Sequence, residues 1–322
     1  MSETSELAPP DAEEVRQLRQ RSYNATIIER IDAHEDLSRF RIRPDDPIPP
    51  FVAGQYVAIG LGNWEPRLRG TQAEDLPAKR VRKLARRAYS ISCPMLDGRG
   101  NLAPVDSIDY LEFYVTLVRQ ARSLAEKPPA LTPRLFGKVA GDRVVVEKKI
   151  TGKYCLGEVA TDDTVLFLGT GTGEAPHNAM AVSLLARGHR GPIINATSIR
   201  YRRDAAYLRE HTALMERFPQ YRYFALTTRE PENVDPSHPN YVGKLYLQGL
   251  FSSGRLAEMA GDPLDPASTH VFLCGNPDMI GLVPPGAPPP ATPGMLPLLE
   301  QAGFRDDPAG TTAGTIRYEK YW

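Results

Sequence analysis

Three glycines after a short apolar run could hold the phosphates of a nucleotide. Residues 165–168 are predicted to form a buried strand, and the glycines that follow are Gly169, Gly171 and Gly173. Glycines allow a tight turn and let a large anion approach the backbone N–H groups. Pro176 suits the first turn of a helix, whose N-terminal end favours negative charge. The stretch therefore predicts a pyrophosphate-binding loop. A plain strand-to-helix turn stays open, because Glu174 stands where the dinucleotide-binding fingerprint has its third glycine.

A second candidate group begins just before a strand predicted at residues 88–92. Side chains alternate along a strand, so Arg87 and Tyr89 are predicted to face one way and Ser90 the other. An arginine can bind phosphate as a fork, and a tyrosine ring can stack on a planar cofactor. Taken alone, this short pattern favours an ordinary edge strand of a barrel.

Two arginines predict the choice of nucleotide. A doubly wound domain that binds NAD usually carries Asp or Glu after its second strand, where the carboxylate accepts a hydrogen bond from the ribose 2′-hydroxyl. Here the second predicted strand, residues 193–197, leads into Ser198 and Arg200, and the third leads into Arg229. The two arginines follow neighbouring strands and could converge on a 2′-phosphate. The pattern therefore predicts NADP(H).

In their order along the chain, these motifs resemble those of the ferredoxin–NADP(+) reductase family, in particular its bacterial ferredoxin/flavodoxin-reductase branch. The resemblance runs from about Tyr23 to Trp322. It implies a site for FAD in which Arg87 binds the flavin pyrophosphate, Tyr89 stacks on the isoalloxazine and Ser90 hydrogen-bonds near flavin N5.

The resemblance also implies a second phosphate contact in the first domain. Leu131 and Thr132 stand at the start of a helix predicted over residues 132–138, where backbone N–H groups would meet the pyrophosphate. Thr132 is predicted to be the N-cap, with Pro133 at the first helical position. Ala130 replaces the glycine that is usual in the family, and Thr132 replaces its usual serine.

In the second domain, the resemblance makes Thr172 and Gly173 part of the NADP pyrophosphate loop and places the Cys274 thiol beside the nicotinamide. For Cys274 the alternative is a buried, inert thiol at a strand end. The resemblance also implies that the Trp322 ring covers the flavin face that nicotinamide uses, whereas a chain terminus is more often frayed. The predicted catalytic residues are Tyr89, Ser90, Cys274 and Trp322.

The function implied is a flavoenzyme that transfers a hydride between NADPH and FAD and then single electrons to a protein carrier. The chain lacks the cysteine spacing of a plant-type 2Fe–2S centre, so a separate carrier, ferredoxin or flavodoxin, is expected. Two alternatives stay open. One is the reductase component of an oxygenase or cytochrome system, which would use NADH more readily. The other is a non-catalytic flavin- or nucleotide-binding sensor.

The composition of the chain and the order of its predicted strands and helices indicate three parts. Residues 1–20 are predicted to be a disordered start that leads into a short helix. Short strands separated by Gly and Pro predict an antiparallel FAD-binding β-barrel over residues 21–156. Strands and helices then alternate over residues 157–322, which predicts a doubly wound parallel sheet that binds NADP at the carboxyl ends of its strands.

Composition sets further bounds on the function. The formal net charge of the 322 residues is zero, which gives no general attraction to nucleic acid or to an anionic membrane. The three cysteines show no metal-ligand spacing and no disulfide framework. No apolar run approaches the roughly 20 residues that span a bilayer. A cytoplasmic protein without a metal site or membrane insertion is expected. Its oligomeric state is left open, with a monomer as the working expectation.

Two segments interrupt the pattern. Residues 283–297 are rich in Pro and Gly and are predicted to lack regular structure. Residues 63–87 carry eight basic side chains against three acidic ones. A basic rim that leads into the flavin strand could steer an acidic carrier, whereas a flexible solvated loop is the alternative. The basic residues are Arg67, Arg69, Lys79, Arg80, Arg82, Lys83, Arg86 and Arg87.

Overall fold

The structure is a computed structural model that describes residues 8–123, 126–261, 263–283, 288, 292–306 and 315–321. Its contacts divide the chain into two compact units. The first comprises residues 1–51, 56–90 and 109–151, and the second comprises residues 52–55, 91–108 and 152–322. This division differs from the linear one predicted from the sequence, because two short segments of the first half pack with the second unit. Within that unit, for example, the Tyr207 hydroxyl donates to Ser92 Oγ at 3.1 Å.

The helices and strands are as follows. The strands are β1 (Ala25–His34), β2 (Leu37–Pro44), β3 (Tyr56–Gly62), β4 (Leu84–Ser90), β5 (Met95–Leu96), β6 (Leu102–Ala103), β7 (Leu111–Thr116), β8 (Arg143–Val146), β9 (Thr164–Thr170), β10 (Ile193–Ile199), β11 (Tyr221–Thr227), β12 (Thr269–Gly275), β13 (Arg305–Asp306) and β14 (Thr315–Lys320). The helices are α1 (Ala12–Ser22), α2 (Ala78–Val81), α3 (Thr132–Leu135), α4 (Glu174–Ala186), α5 (Leu208–Arg217), α6 (Pro231–Val234), α7 (Leu247–Ser252), α8 (Arg255–Ala260), α9 (Pro277–Ile280) and α10 (Met295–Gln301).

The first unit is built on a six-stranded antiparallel sheet in the order β4-β3-β8-β1-β2-β7. Alternate apolar side chains such as Ile27, Phe40 and Ile59 are buried and form its core. The rings of Tyr89 on β4 and Phe113 on β7 meet edge to face, with 6.4 Å between centroids. Because β4 and β7 are the two edges of the sheet, this contact brings the edges together as in a barrel. The predicted antiparallel barrel is confirmed.

Helix α1 is fixed to the first unit by a buried carboxylate. Glu65 accepts hydrogen bonds from Arg19 Nε and Nη2, both at 2.7 Å. It also accepts from the Tyr23 hydroxyl at 2.9 Å and from Lys138 Nζ at 2.6 Å. Burial alone would raise the pKa of Glu65, but these hydrogen bonds outweigh it and lower the pKa to about 2. The helix predicted in the N-terminal extension is therefore a packed part of the first unit.

The second unit contains a parallel six-stranded sheet in the order β11-β10-β9-β12-β14-β13. Strand β9 lies between β10 and β12, and Gly169 pairs in register with Thr197 on one side and Cys274 on the other. The carboxyl ends of these strands therefore meet at one edge, where doubly wound sheets bind ligands. The predicted parallel α/β architecture is confirmed.

The two faces of the parallel sheet differ in chemistry. One face contributes Leu166, Ile194 and Leu273 to an apolar cluster. Because side chains alternate along a strand, Asn195 and Thr197 lie on the opposite face, where both are buried. That face therefore combines buried rings such as Phe167 and Phe272 with polar groups that need hydrogen-bond partners inside the protein.

Several elements differ from the sequence predictions. Leu131, not Thr132, occupies the N-cap position of α3, and Thr132 Oγ1 instead accepts the Val118 N–H at 3.1 Å. Gly254, inside a stretch of the α/β region where the sequence pattern predicts one helix over residues 244–259, adopts a φ of +78° and separates α7 from α8. Helix α10 begins at Met295, inside the segment predicted to be irregular.

Candidate functional site

The glycine loop joins the centre of the parallel sheet to helix α4. A 3-10 turn at Gly171–Gly173 follows β9, and α4 begins at Glu174. A Cβ atom on Gly173 would lie only 2.4 Å from the Cys274 carbonyl oxygen, so this position must be glycine. Gly171 has a φ of +52°, and open space surrounds its missing Cβ. The loop therefore packs against β12 on one side and is open at Gly171. The half-buried Thr172 lies between these two glycines.

Cys274, the second-to-last residue of β12, lies directly beside this loop. Its side chain is fully buried, and burial raises the pKa of its thiol well above the ordinary value. The next turn is held by a hydrogen bond from the Asn276 N–H to Thr170 Oγ1 at 2.8 Å. The structure thus brings together Gly173 and Cys274, which the sequence placed in separate motifs. A neutral thiol in this position offers a packing surface and not a nucleophile.

Two histidines that the sequence did not single out for a site role fix the first turns of α4. His211 Nε2 and Glu174 Oε1 are 2.6 Å apart, and both side chains are fully buried. The His211 ring stacks on Tyr223 with 3.5 Å between centroids. His177, also on α4, is bonded through Nε2 to the Tyr154 hydroxyl at 2.7 Å, and burial lowers its pKa to about 3. No local pattern links Glu174 to His211, because 37 positions separate them.

The predicted arginine pair lies at the carboxyl ends of β10 and β11. The Arg229 N–H donates to the Arg200 carbonyl oxygen at 2.9 Å, so the two residues are neighbours in space. The Thr228 hydroxyl reinforces this contact by donating to the Ile199 carbonyl at 3.0 Å. Both arginine side chains are exposed, and neither has an ion-pair partner among the described residues. Ser198, at the end of β10, is half-buried.

A cavity of about 410 Å³ opens at the same strand ends. Its polar lining includes Arg202 and three residues from the segment after β11 that the sequence did not single out for this site, Glu232, His238 and Asn240. The Leu245 N–H donates to the Thr227 carbonyl at 3.3 Å and holds the end of that segment against β11. A polar recess therefore adjoins the strand ends that carry the arginine pair.

The candidate flavin residues lie in the first unit. On the edge strand β4, Arg87 is exposed, Tyr89 is half-buried against Phe113, and Ser90 is buried. Burial raises the pKa of Tyr89, so its ring stays neutral at physiological pH. An exposed cation two residues from a neutral aromatic ring suits an anionic group attached to a planar one.

Leu131 and Thr132 are both buried at the start of α3. The Thr132 hydroxyl accepts the Val118 N–H, so it is already engaged within the first unit. Its role towards a phosphate stays a prediction.

The predicted role of Trp322 falls on a residue outside the described ones. The preceding residue lies beside the end of β12, because the Tyr321 N–H donates to the Gly275 carbonyl at 3.0 Å. This bond brings the described end of the chain to the turn that follows Cys274.

Most of the basic segment is part of the folded first unit. Its last residues form the start of β4, which pairs with β3 from Leu84 onward. Arg67 pairs with Glu74 at 3.1 Å, and Arg82 pairs with Glu14 at 2.6 Å, so these two charges are compensated. The exposed side chains of Lys79, Arg80 and Lys83 have no ion-pair partner among the described residues. A steering role would therefore depend on fewer charges than the eight basic side chains that the sequence contains here.

Two kinds of feature are absent from the part of the chain that the structure describes. It contains no group of three or more His, Cys, Asp or Glu side chains that could hold a metal ion. None of its helices combines the length and apolar character needed to cross a membrane.

Comparison with known proteins adds independent information. Residues 167–284 match the family model for the oxidoreductase NAD-binding domain. The chain is 28% identical to the flavodoxin/ferredoxin–NADP reductase of Escherichia coli over 247 residues, which cover 75% of this chain and 80% of that protein. The fold is similar to that of a Neisseria gonorrhoeae ferredoxin NADP+ reductase solved with bound FAD and NADP, with a TM-score of 0.65, 18% identity, and coverage of 93% of this chain and 98% of that one. An Amycolatopsis cytochrome P450 reductase has a TM-score of 0.56 and 22% identity, with coverage of 92% of this chain and 69% of that one.

Proposed function

We propose that this chain, which belongs to the ferredoxin–NADP(+) reductase family, is an FAD-dependent oxidoreductase that moves electrons between NADPH and a one-electron protein carrier, ferredoxin or flavodoxin. The observation that carries the proposal is the arginine pair, in which the Arg229 N–H donates to the Arg200 carbonyl at 2.9 Å. Two guanidinium groups that have no ion-pair partner in the described parts of the chain, at neighbouring strand ends, suit a phosphate dianion, whereas an NAD site has a carboxylate there.

The residues of the second unit fit NADP(H). The open side of the glycine loop at Gly171 leaves room for a pyrophosphate near the start of α4. Gly173 and Cys274 pack together at the end of β12, so the buried neutral thiol can limit the position of the nicotinamide ring. We assign Thr172 and Gly173 to the pyrophosphate and Cys274 to the nicotinamide.

The residues of the first unit fit FAD. Arg87 supplies an exposed cation for the pyrophosphate and Tyr89 a neutral ring for the isoalloxazine, while Ser90 supplies a hydroxyl near flavin N5. We propose that Leu131 and Thr132 form a second contact with the FAD pyrophosphate and that Trp322 covers the flavin. FAD, when bound, accepts a hydride and can release its electrons one at a time.

The proposed function is tested on the purified protein. We expect a yellow protein that NADPH bleaches and NADH bleaches poorly, because only NADPH carries the phosphate that the arginine pair binds. Bleaching by NADH alone would favour the reductase component of an oxygenase or cytochrome system. A protein that binds flavin or nucleotide without bleaching would be a sensor and not an enzyme.

Flavin retention tests the residues of β4. Replacing Tyr89 with Ala removes a stacking surface, and replacing Arg87 with Ala removes a phosphate fork. Each purified variant is expected to lose most of its yellow colour or to release FAD on dilution, measured by absorbance after gel filtration. Arg86→Ala is the matched control, because the neighbouring Arg86 pairs with Glu147 at 2.5 Å. Full flavin content in both test variants would show that FAD binds elsewhere.

Carrier docking tests three neighbouring basic side chains that have no ion-pair partner among the described residues. Changing Lys79, Arg80 and Lys83 together to Gln is expected to slow electron transfer to an acidic carrier by roughly tenfold or more at low salt, because steering raises association rates by about 10–10³-fold. The measurement is carrier reduction at several salt concentrations, with ferricyanide as a small acceptor that needs no docking surface.

Two results would contradict this docking role. Equal losses with carrier and ferricyanide would mean that the segment supports the flavin site. An equal slowing when the exposed Arg187, Arg209 and Arg255 of the second unit are changed to Gln would mean that only total charge matters.

A further inference from the structure

We propose that Glu232 is a specificity-determining residue that limits the preference for NADPH over NADH, because it holds Arg202 and keeps a carboxylate in the cavity beside the arginine pair. This inference rests on the proposed function, since it concerns the same nucleotide site. Arg202 and Glu232 both line the cavity at the carboxyl ends of β10 and β11, and their side chains form an ion pair. A third arginine therefore lies two residues from Arg200, but its charge is already engaged.

The carboxylate is the fixed partner in this ion pair. The Glu232 side chain is 16% exposed, whereas that of Arg202 is 72% exposed. Two hydrogen bonds fix the turn that carries Glu232. The Val242 N–H donates to the Glu232 carbonyl, and the Asn233 side-chain amide donates through Nδ2 to the Gly243 carbonyl, both at 2.9 Å. The Arg202 guanidinium can therefore bind a ligand only if its ion pair with Glu232 breaks.

A 2′-phosphate and a ribose 2′-hydroxyl interact differently with the Arg202–Glu232 ion pair. A phosphate dianion competes with Glu232 for Arg202, and a successful exchange leaves an unpaired carboxylate near the dianion. A ribose 2′-hydroxyl can instead donate a hydrogen bond to a carboxylate, as it does in NAD sites. Glu232 thus disfavours the ligand that Arg200 and Arg229 favour, and the cavity retains a contact for NADH.

Glu230 has a different role, although it also bonds to Arg202. Its Oε1 accepts the backbone N–H of Arg202 at 2.7 Å, so this contact is with the main chain and not with the guanidinium group that Glu232 binds. Glu230 is also the N-cap residue of α6, where its backbone N–H donates to Asn233 Oδ1 at 3.1 Å. Changing Glu230 would disturb the loop, so Glu232 is the position to vary.

The test measures the binding of adenosine 2′,5′-bisphosphate and of adenosine 5′-monophosphate to the flavin-loaded protein by calorimetry. Glu232→Gln is expected to bind the bisphosphate roughly three- to tenfold more tightly, because an exposed charge-assisted contact becomes available to the phosphate. Binding of the monophosphate stays unchanged or weakens. In turnover, kcat/KM for NADPH rises by a similar factor while kcat stays the same. The gain shrinks at high salt.

Two further variants make the test specific. The double variant Arg202→Gln/Glu232→Gln is expected to lose the gain, since the released guanidinium is its source. Glu216→Gln is the matched control, because this exposed carboxylate lies at the far end of α5, near the amino-terminal edge of β11, and is expected to behave as the wild type.

The possible outcomes separate this inference from the proposed function. Unchanged or weaker bisphosphate binding in Glu232→Gln would overturn the inference, as would a gain that persists without Arg202. A wild-type protein that binds neither nucleotide would contradict the proposed function and this inference together.

Discussion

Replacing both Arg200 and Arg229 with Ala is expected to raise the KM for NADPH by about two to four orders of magnitude. Each charge-assisted contact to the 2′-phosphate contributes about 1.5–3 kcal/mol, and about 1.4 kcal/mol corresponds to a tenfold change. The effect should fall on KM and hardly on kcat, because the 2′-phosphate takes no part in hydride transfer. Steady-state kinetics with NADPH and NADH measure it directly.

A matched control lies in the same turn. Arg203 is also exposed, but its guanidinium lies over the Tyr201 ring at 5.4 Å from the centroid. Arg203→Ala is expected to leave both Michaelis constants close to those of the wild type. An equal loss for NADPH and NADH in the double variant would mean that the arginines support the loop and do not bind the phosphate.

Replacing Glu65 with Ala is expected to lower the free energy of unfolding of the first unit by about 3–5 kcal/mol, because it leaves the buried Lys138 ammonium without its carboxylate. Urea unfolding can be followed by the emission of Trp64, whose ring stacks on Tyr23 at 6.2 Å between centroids. The chain has two tryptophans, so a Trp322→Phe background makes Trp64 the sole reporter. Glu13→Gln, which breaks an exposed pair with Arg16 on α1, is the control and should not shift the transition measurably.

The Glu65 contribution has a defined pH dependence. Its pKa is about 2 in the folded protein and 4.5 in an unperturbed glutamate. A lowered folded-state pKa stabilises the protein above the unfolded value, and this stabilisation is lost as pH falls towards 2. The stability difference between wild type and Glu65→Ala is therefore expected to be constant above about pH 5 and to shrink below it. A difference that does not change between neutral pH and pH 3 would show that packing, and not charge, makes Glu65 important.

Local pattern was sufficient for much of the architecture. Apolar alternation located the strands of the barrel, and the strand-glycine-helix order located the start of the parallel sheet. Both signals depend on near neighbours in the chain, since a strand repeats every two residues and a phosphate loop is one continuous turn. The arginines after β10 and β11 were predictable for a similar reason, because parallel strands end at one edge.

Element boundaries required the tertiary structure. Thr132 has the chemistry of an N-cap, yet its hydroxyl accepts the Val118 N–H, a partner supplied by the segment just after β7. Helix α10 forms within a Pro-rich stretch because Leu299, buried in the apolar cluster, anchors it to the sheet. Propensity is a weak preference that packing can override.

The sequence alone determined the two-part architecture, the glycine loop, the basic strand ends and the resemblance to a reductase family, because each is written in a continuous stretch of chain. Only the tertiary structure decided which charges remain available. Glu65 engages Arg19 and Lys138, and Glu14 engages Arg82. In the second unit, Glu232 engages Arg202 and Glu174 bonds to His211. The physical reason is that Coulomb and hydrogen-bond energies depend on distance in space and on burial, and partners that lie 30 to 73 positions apart in the chain show no sign of their proximity in the sequence.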